Sequence, residues 1–176
     1  MDKRLLILGA GVYGLVAKEI AESMGCFSEI SFVDDHAKVT ANGIPVLGTV
    51  SELGAFAGKY THAIVAIGRS EARLQAIEAV RGVPALSLVS LVSPLAYVAP
   101  SAKISEGCVI EPMAVVHTGA MISDGCLVSA GAVINHFAVL GRGVHVDCNA
   151  VVAGNTAVAD GMKIEAAVRY VGTPIT

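Results

Sequence analysis

From Val98 an aliphatic residue returns at every sixth position without interruption, through Ile104, Ile110, Val116, Ile122, Val128, Ile134, Leu140, Val146, Val152 and Val158 to Ile164. An α-helix cannot carry that period, because 3.6 residues per turn would spread the aliphatic positions around the cylinder. Four residues after each comes a position that is mostly small: Ala102, Cys108, Ala114, Ala120, Cys126, Ala132, Ala138, Val144, Ala150 and Thr156. Each hexad therefore sends two side chains inward, two residues apart, which is the spacing of a short strand. The residues that follow, often Gly, Asn, Asp or Pro, take the corner before the next strand. A repeat of this kind decides the architecture: parallel coils of three strands each, stacked over about the last eighty residues.

The pattern changes near Ser93-Pro94, which predicts two domains in the 176 residues, 1–92 and 93–176. A net charge of -3, with no Lys/Arg cluster, gives no electrostatic footprint for nucleic acid. The chain is 54% hydrophobic and 15% charged, more apolar than a typical domain. No apolar run approaches the roughly 18 residues of a membrane span, so the excess is expected inside coils and between subunits. Residues 5–8 are too short an apolar run for a signal-peptide core, and a cytoplasmic protein is expected. Cys26, Cys108, Cys126 and Cys148 show no metal-ligand spacing. Cys108 and Cys126 occupy equivalent inward positions and should stack in neighbouring coils as small core residues, about 4.8 Å apart.

The first half reads differently. Residues 5–8 form a buried strand that runs into Gly9-Ala10-Gly11-Val12-Tyr13-Gly14 and a helix to about Met24, ended by Gly25. A second strand, residues 30–33, ends in Asp34-Asp35, about twenty residues past the glycine turn, where a Rossmann unit places its ribose-binding acid. A third strand is expected at 63–67, then Gly68-Arg69, a helix from a Ser70 cap to about Val80, and a fourth strand at 86–91. Glycines in such a turn let the backbone approach a phosphate at the helix N-terminus, although turns of this kind also serve packing alone. About ninety residues make only half of a full dinucleotide fold, so a mononucleotide or sugar nucleotide fits better than NAD. Arg69 and Arg73 are placed to meet phosphate or, equally, to form a solvated helix face.

Taken together, the hexads resemble those of the left-handed parallel β-helix acyltransferases, and the order of parts resembles the NeuD/PglD type of sugar-nucleotide and sialic acid acetyltransferases. Gly9-Ala10-Gly11 with Gly14, Phe32-Val33-Asp34-Asp35, Ala66-Ile67-Gly68 with Arg73, and the hexads with Asn135-His136 carry the resemblance. It implies a left-handed coil domain after a Rossmann-like one that holds a UDP-linked amino sugar through Gly9, Gly11, Tyr13, Gly14, Asp34, Asp35, Gly68 and Arg69. It also implies acetyl-CoA as co-substrate and His136 as general base, a role suited to imidazole at neutral pH. Asn135 is a candidate oxyanion donor, and His117 and His145 are further catalytic candidates. His145, Gly154, Lys163 and Arg169 are candidates for the acetyl-CoA site.

Two positions depart from the family. Tyr13 and Phe137 stand where the family commonly has a histidine and an acidic residue, which leaves the orienting carboxylate of His136 to Glu111, Asp147 or a neighbouring subunit. Val171-Gly172-Thr173-Pro174 resembles the family's closing Gly-x-Pro segment but arrives about one hexad after Ile164, so weaker acetyl-CoA binding is expected than in longer relatives. A zinc site is not expected. The β-helix carbonic anhydrases take two histidine ligands five residues apart, whereas the closest pair here, His136 and His145, is nine apart.

Outward residues on the His136 face, Tyr97, Val115, Val133 and Val151 alternating with Ala99, His117, Asn135 and Ala153, form an apolar stripe. The face with Glu111, Asp147, Lys163 and Glu165 is polar by comparison. A homotrimer packing the apolar faces would bury the stripe and share the site between chains. The expected activity is acetyl transfer to a UDP-linked amino sugar. Sialic acid or another sugar hydroxyl as acceptor, a non-catalytic nucleotide-sugar binder, and an NAD oxidoreductase are the alternatives.

Overall fold

The computed structural model describes residues 2–175. The chain divides into two compact units, Met1–Leu91 and Val92–Thr176.

The first unit is built on β1 (Arg4–Leu8), α1 (Val12–Met24), β2 (Glu29–Val33), a 3-10 turn (Val50–Glu52), α2 (Leu53–Phe56), β3 (His62–Val65), α3 (Ser70–Arg81) and β4 (Ser87–Leu88). Its strands pair in parallel in the order β2-β1-β3-β4. The central strand is an unbroken apolar run, with Leu5 to Leu8 fully buried, as expected of a parallel strand covered on both faces. Chain direction across the sheet reverses at β1. The crevice beyond the C-terminal ends of β1 and β3 is thus a topological switch point, where open α/β sheets bind ligands.

Three boundaries differ from expectation for identifiable reasons. β3 stops at Val65 because the carbonyls of Ile67 and Gly68 turn out of the sheet to the Arg73 guanidinium. The expected strand at 86–91 splits: Ser87–Leu88 pairs with β3, while Leu91–Val92 joins the coils. Ser70 is the first residue of α3 rather than its cap, a position held by Arg69. Sequence periodicity gave no element between Asp35 and Phe56. There, Thr49 and Glu52 form a reciprocal capping box on the 3-10 turn, and isolated bridges join Phe32 to Val46 and Val39 to Pro45.

In the second unit three parallel sheets wrap one core. One stacks Leu91–Val92, Val109–Ile110, Leu127–Val128, His145–Val146 and Lys163–Ile164; the next stacks Tyr97–Val98, Val115–Val116, Val133–Ile134, Val151–Val152 and Arg169–Tyr170. The third stacks Lys103–Ile104, Met121–Ile122, Val139–Leu140 and Thr156–Val158. Partners sit three hexads apart, as Val133 with Val151 and Ile134 with Val152. The coils therefore begin at Val92 and run to Tyr170, one hexad beyond the aliphatic series at each end. Thr173–Pro174 turns back antiparallel on Thr156–Ala157. Cys108 and Cys126 are fully buried thiols, not joined in a disulfide, and donate to the corner carbonyls of Ser123 and Gly141 at 3.2 and 3.1 Å, in keeping with a core role.

Corners reuse one backbone device. The third residue after the aliphatic position adopts a left-handed conformation, filled by Gly at 107, 119, 125, 131, 143 and 161 and by Asn at 149 and 155. Met113, Phe137 and Ala167 adopt it too, at a cost of roughly 1–2 kcal/mol each. Of these, Phe137 follows His136 directly.

Candidate functional site

A cleft of about 490 Å³ lies at the switch point of the first unit, lined among others by Gly9, Asp34, Asp35, His36, Arg69 and Gln75. Four of the predicted substrate-binding residues meet there: Gly9, Asp34, Asp35 and Arg69. Gly11, Tyr13, Gly14 and Gly68 do not line it, and His36 and Gln75 were not anticipated. The glycines divide by task. Gly9 has φ +112°, and a Cβ there would sit 2.6 Å from the Ala66 carbonyl oxygen. Gly14 packs α1 onto β1, since its Cβ would strike the carbonyl oxygen of Gly9. Around Gly11 the space is open.

Asp34 is a brace for the turn. Its Oδ2 accepts the Ala10 N–H at 2.8 Å, and its Oδ1 accepts those of His36 and Ala37 at 2.8 and 2.9 Å. The Ala10 amide is thereby taken, which leaves the phosphate-facing reading of the turn to α1's own first amides. Asp35 is exposed in the cleft, with Oδ1 accepting the Val50 N–H at 2.8 Å. Arg73 is fully buried and donates to Ile67 and Gly68 carbonyls at 2.8 and 2.7 Å. It fixes the β3–α3 loop and is unavailable to phosphate. Arg69 is the exposed cation of the cleft.

Burial pushes the Asp34 carboxyl up, but its three backbone hydrogen bonds outweigh this and hold it below its ordinary 3.8. A carboxyl depressed in the folded state stabilises above its unfolded pKa and loses that contribution as pH falls through the folded value. Asp34→Asn should therefore lower stability at pH 7 by about 1–3 kcal/mol and by progressively less below about pH 4. Urea unfolding at both pH values checks this. Equal stability of variant and parent at pH 7 would refute the brace.

In the second unit, Val133–Ile134 delivers Asn135 outward and His136 to the following corner. The imidazole lies over Gly154 of the next coil, where a Cβ would come within 2.6 Å of Cε1 and 2.8 Å of Nε2. Gly154, expected to serve acetyl-CoA, is the seat of the ring. Phe137 leans the other way, across Gly119 of the preceding coil, with its ring edge-on to His136 at 6.2 Å between centroids. His117 sits one coil before Asn135 and donates its backbone N–H to Ile134 O at 2.9 Å. His117, Asn135, His136 and Gly154 thus form one neighbourhood.

His145 is not part of it within a protomer. It stands between Leu127 and Lys163 on a different sheet, with Nε2 3.1 Å from Ser129 Oγ. The two carboxylates considered as orienters of His136 also lie elsewhere. Glu111 accepts the Ala130 N–H at 3.1 Å; Asp147 accepts the Cys148 N–H at 2.8 Å and pairs with Lys163 at 3.1 Å. The polar atom beside Nδ1 is Asn135 Oδ1, at 2.8 Å, so that oxygen belongs to the imidazole and only the NH2 of Asn135 is left for an oxyanion. Lys163 is engaged by Glu165 at 2.7 Å as well as by Asp147, and these contacts hold its ammonium above the usual lysine range. Arg169 is exposed on the sheet of Val133 and Val151, so the two cations proposed for CoA occupy different faces. Among the described residues no group of three His, Cys, Asp or Glu is placed to hold a metal ion, and no helix is long and apolar enough to cross a membrane.

The PglD N-terminal domain family matches residues 4–80. The acetyltransferase domain of PglB from Neisseria gonorrhoeae FA1090 is 34% identical, with a TM-score of 0.87 over 93% of this chain and 80% of that one. A structure of that domain in complex with acetyl coenzyme A gives 27% identity and a TM-score of 0.73 over 98% and 92%. PerB from Caulobacter crescentus, in complex with CoA and GDP-perosamine, shares the fold at 20% identity and a TM-score of 0.74 over 96% and 92%. Comparison with curated proteins gives no match.

Proposed function

The chain belongs to the PglD/NeuD-type sugar acetyltransferases, with the Rossmann-like domain and left-handed parallel β-helix of that family, and we propose that it moves acetyl from acetyl-CoA to the amine of a UDP-linked amino sugar with His136 as general base. The observation that carries the proposal is the His136 corner: an exposed imidazole, seated on Gly154 and held by Asn135, in a coil domain similar to one that binds acetyl coenzyme A. The acceptor's nucleotide is assigned to the cleft of the first unit, with Arg69 toward its phosphates and Asp35 toward its uridine.

In the chemistry proposed, the amine lone pair forms a bond to the thioester carbonyl carbon as the carbonyl electrons move onto oxygen. His136 Nε2 takes a proton from the attacking nitrogen. Collapse re-forms the carbonyl, breaks the C–S bond, and returns the proton to the CoA thiolate, leaving an amide. Backbone N–H groups or the Asn135 NH2 are the candidate donors to the oxyanion. Because the reaction draws on acetyl-CoA and a nucleotide sugar, the proposal places the protein in the cytoplasm. The test is incubation with acetyl-CoA and a panel of nucleotide-linked amino sugars and sialic acids, scored by the mass gain of one acetyl group. Transfer to a UDP-linked amine is the expected result. Transfer only to a hydroxyl would replace it with O-acetylation, and binding without transfer with a nucleotide-sugar binder.

A homotrimer is part of the proposal. Val115, Val133 and Val151 are half-buried within one protomer, and Tyr97, at the head of the same row, is 55% exposed. Packing that row against a second copy removes apolar area from water at about 25 cal/mol per Å² and brings another protomer's faces to the His136 corner. Val133→Glu should give monomers or aggregates in light scattering, where the parent gives a trimer. A monomeric parent would overturn the shared site.

A further inference from the structure

We infer that Asn135, through its neutral side-chain oxygen, is the positioning residue of His136, fixing the imidazole as the Nδ1–H tautomer with the Nε2 lone pair facing outward. The inference rests on the reading of His136 as the base but uses geometry of its own. Asn135 Oδ1 lies 2.9 Å from the backbone N–H of His136 and 2.8 Å from its Nδ1. A backbone N–H can only donate, so the atom facing it must be the amide oxygen and not the NH2, which settles the flip of the carboxamide. That oxygen can only accept. Nδ1 must therefore carry the proton, and Nε2 is left as the basic nitrogen.

The rest of the corner completes the constraint. Gly154 gives the ring its seat on one side, and the Phe137 ring meets it edge-on. Backbone bonds tie the corner to its neighbours: Phe137 N–H donates to Thr118 O of the preceding coil and Asn155 N–H of the next coil donates to His136 O, both at 3.0 Å, while His117 lies one coil before Asn135. Among the described residues no Asp or Glu hydrogen bonds to or pairs with His136. An amide replaces a carboxylate poorly in serine-protease triads because it lets the imidazole take the wrong tautomer. Here the backbone N–H removes that freedom, so the neutral partner suffices for orientation without adding a charge that would stabilise the imidazolium.

Two experiments test this. First, nitrogen-15 spectra of the histidine-labelled full chain, with the His136 signals assigned by their absence in His136→Ala, should show a protonated Nδ1 and an unprotonated Nε2 above the titration range. The reverse tautomer would overturn the inference, and this readout does not depend on acetyl transfer. If no acetyl transfer is found but the tautomer is as stated, the proposed function fails and the positioning role stands. Second, Asn135→Ala should lower kcat about tenfold with acceptor KM unchanged, the expected signature of a lost transition-state interaction. Asn135→Asp, which keeps the oxygen and adds a charge, should move the acidic limb of kcat/KM to higher pH by about one unit, whereas the Ala variant should not. A merely structural Asn135 would not move that limb, so an unmoved limb in the Asp variant would sink the role.

Discussion

His136→Ala is expected to lower kcat by about 100-fold or more while leaving acceptor KM nearly unchanged. The lower bound is that of general-base contributions and corresponds to about 2.7 kcal/mol of transition-state stabilisation. KM should hold because the acceptor's nucleotide is assigned to the cleft of the first unit, and a proton acceptor acts only once the amine attacks. Fold should hold as well. The imidazole is exposed and touches Asn135, Phe137 and the Gly154 backbone, whereas the core at this level is made by Ile134 and Ala138. Truncating it opens no cavity, and stability should stay within about 0.5 kcal/mol of the parent, as for ordinary surface changes. Steady-state kinetics and urea unfolding on one preparation separate the two effects. A variant that keeps most of its turnover removes His136 from the mechanism.

The coil domain was legible because its packing is periodic: every inward position is read by the same rule, and the rule fails only where an end coil changes its chemistry. Tyr170 fills the final inward position with a ring and Val92 precedes the Ser93-Pro94 break, so neither joined the aliphatic series. Half of the site followed from the same arithmetic. Asn135 and His117 share a face because they are three hexads apart; His145, nine residues from His136, is half a coil away, which the repeat already implies. That spacing was sufficient to separate them within a protomer.

Elsewhere the missing information was three-dimensional. Nothing in Asp34-Asp35 tells which carboxylate turns back onto Ala10 and which stays in the cleft. Segment 35–56 is organised by a capping box and single bridges, which leave no period to read. Arg73 did leave a signal: with Ala76, Ile77 and Val80 it completes one helical face, and that face is the buried one. A charge in such a row calls for a buried acceptor, here the carbonyls of Ile67 and Gly68. Gly154 stood in the sequence as a candidate for the acetyl-CoA site, and its missing side chain is the space the imidazole occupies, a relation visible only when coils are stacked.

The glycine turn supplies the other large effect. Gly9→Ala should destabilise the protein by about 2–6 kcal/mol, combining roughly 1–3 for overpacking with roughly 1–3 for a strained backbone. The new methyl would meet the Ala66 carbonyl oxygen at 2.6 Å, and φ +112° is a conformation that residues with a Cβ rarely adopt. Its neighbour in space is backbone in the loop that Arg73 pins, so it cannot step aside cheaply. Gly11→Ala is the internal control. At φ -74° with nothing near its Cβ position, it should cost under about 1 kcal/mol, the range for exchange at a helix cap. Urea midpoints for the two variants should therefore differ widely, and similar values would mean that the turn is not held by this packing. Calorimetry with a UDP-sugar then turns the stable variant into a probe of the ligand. If a phosphate approaches the backbone closely at Gly11, the alanine should weaken binding without unfolding the domain. Unchanged affinity would assign the turn's glycines to packing and leave Arg69 and α1's first amides to hold the phosphates.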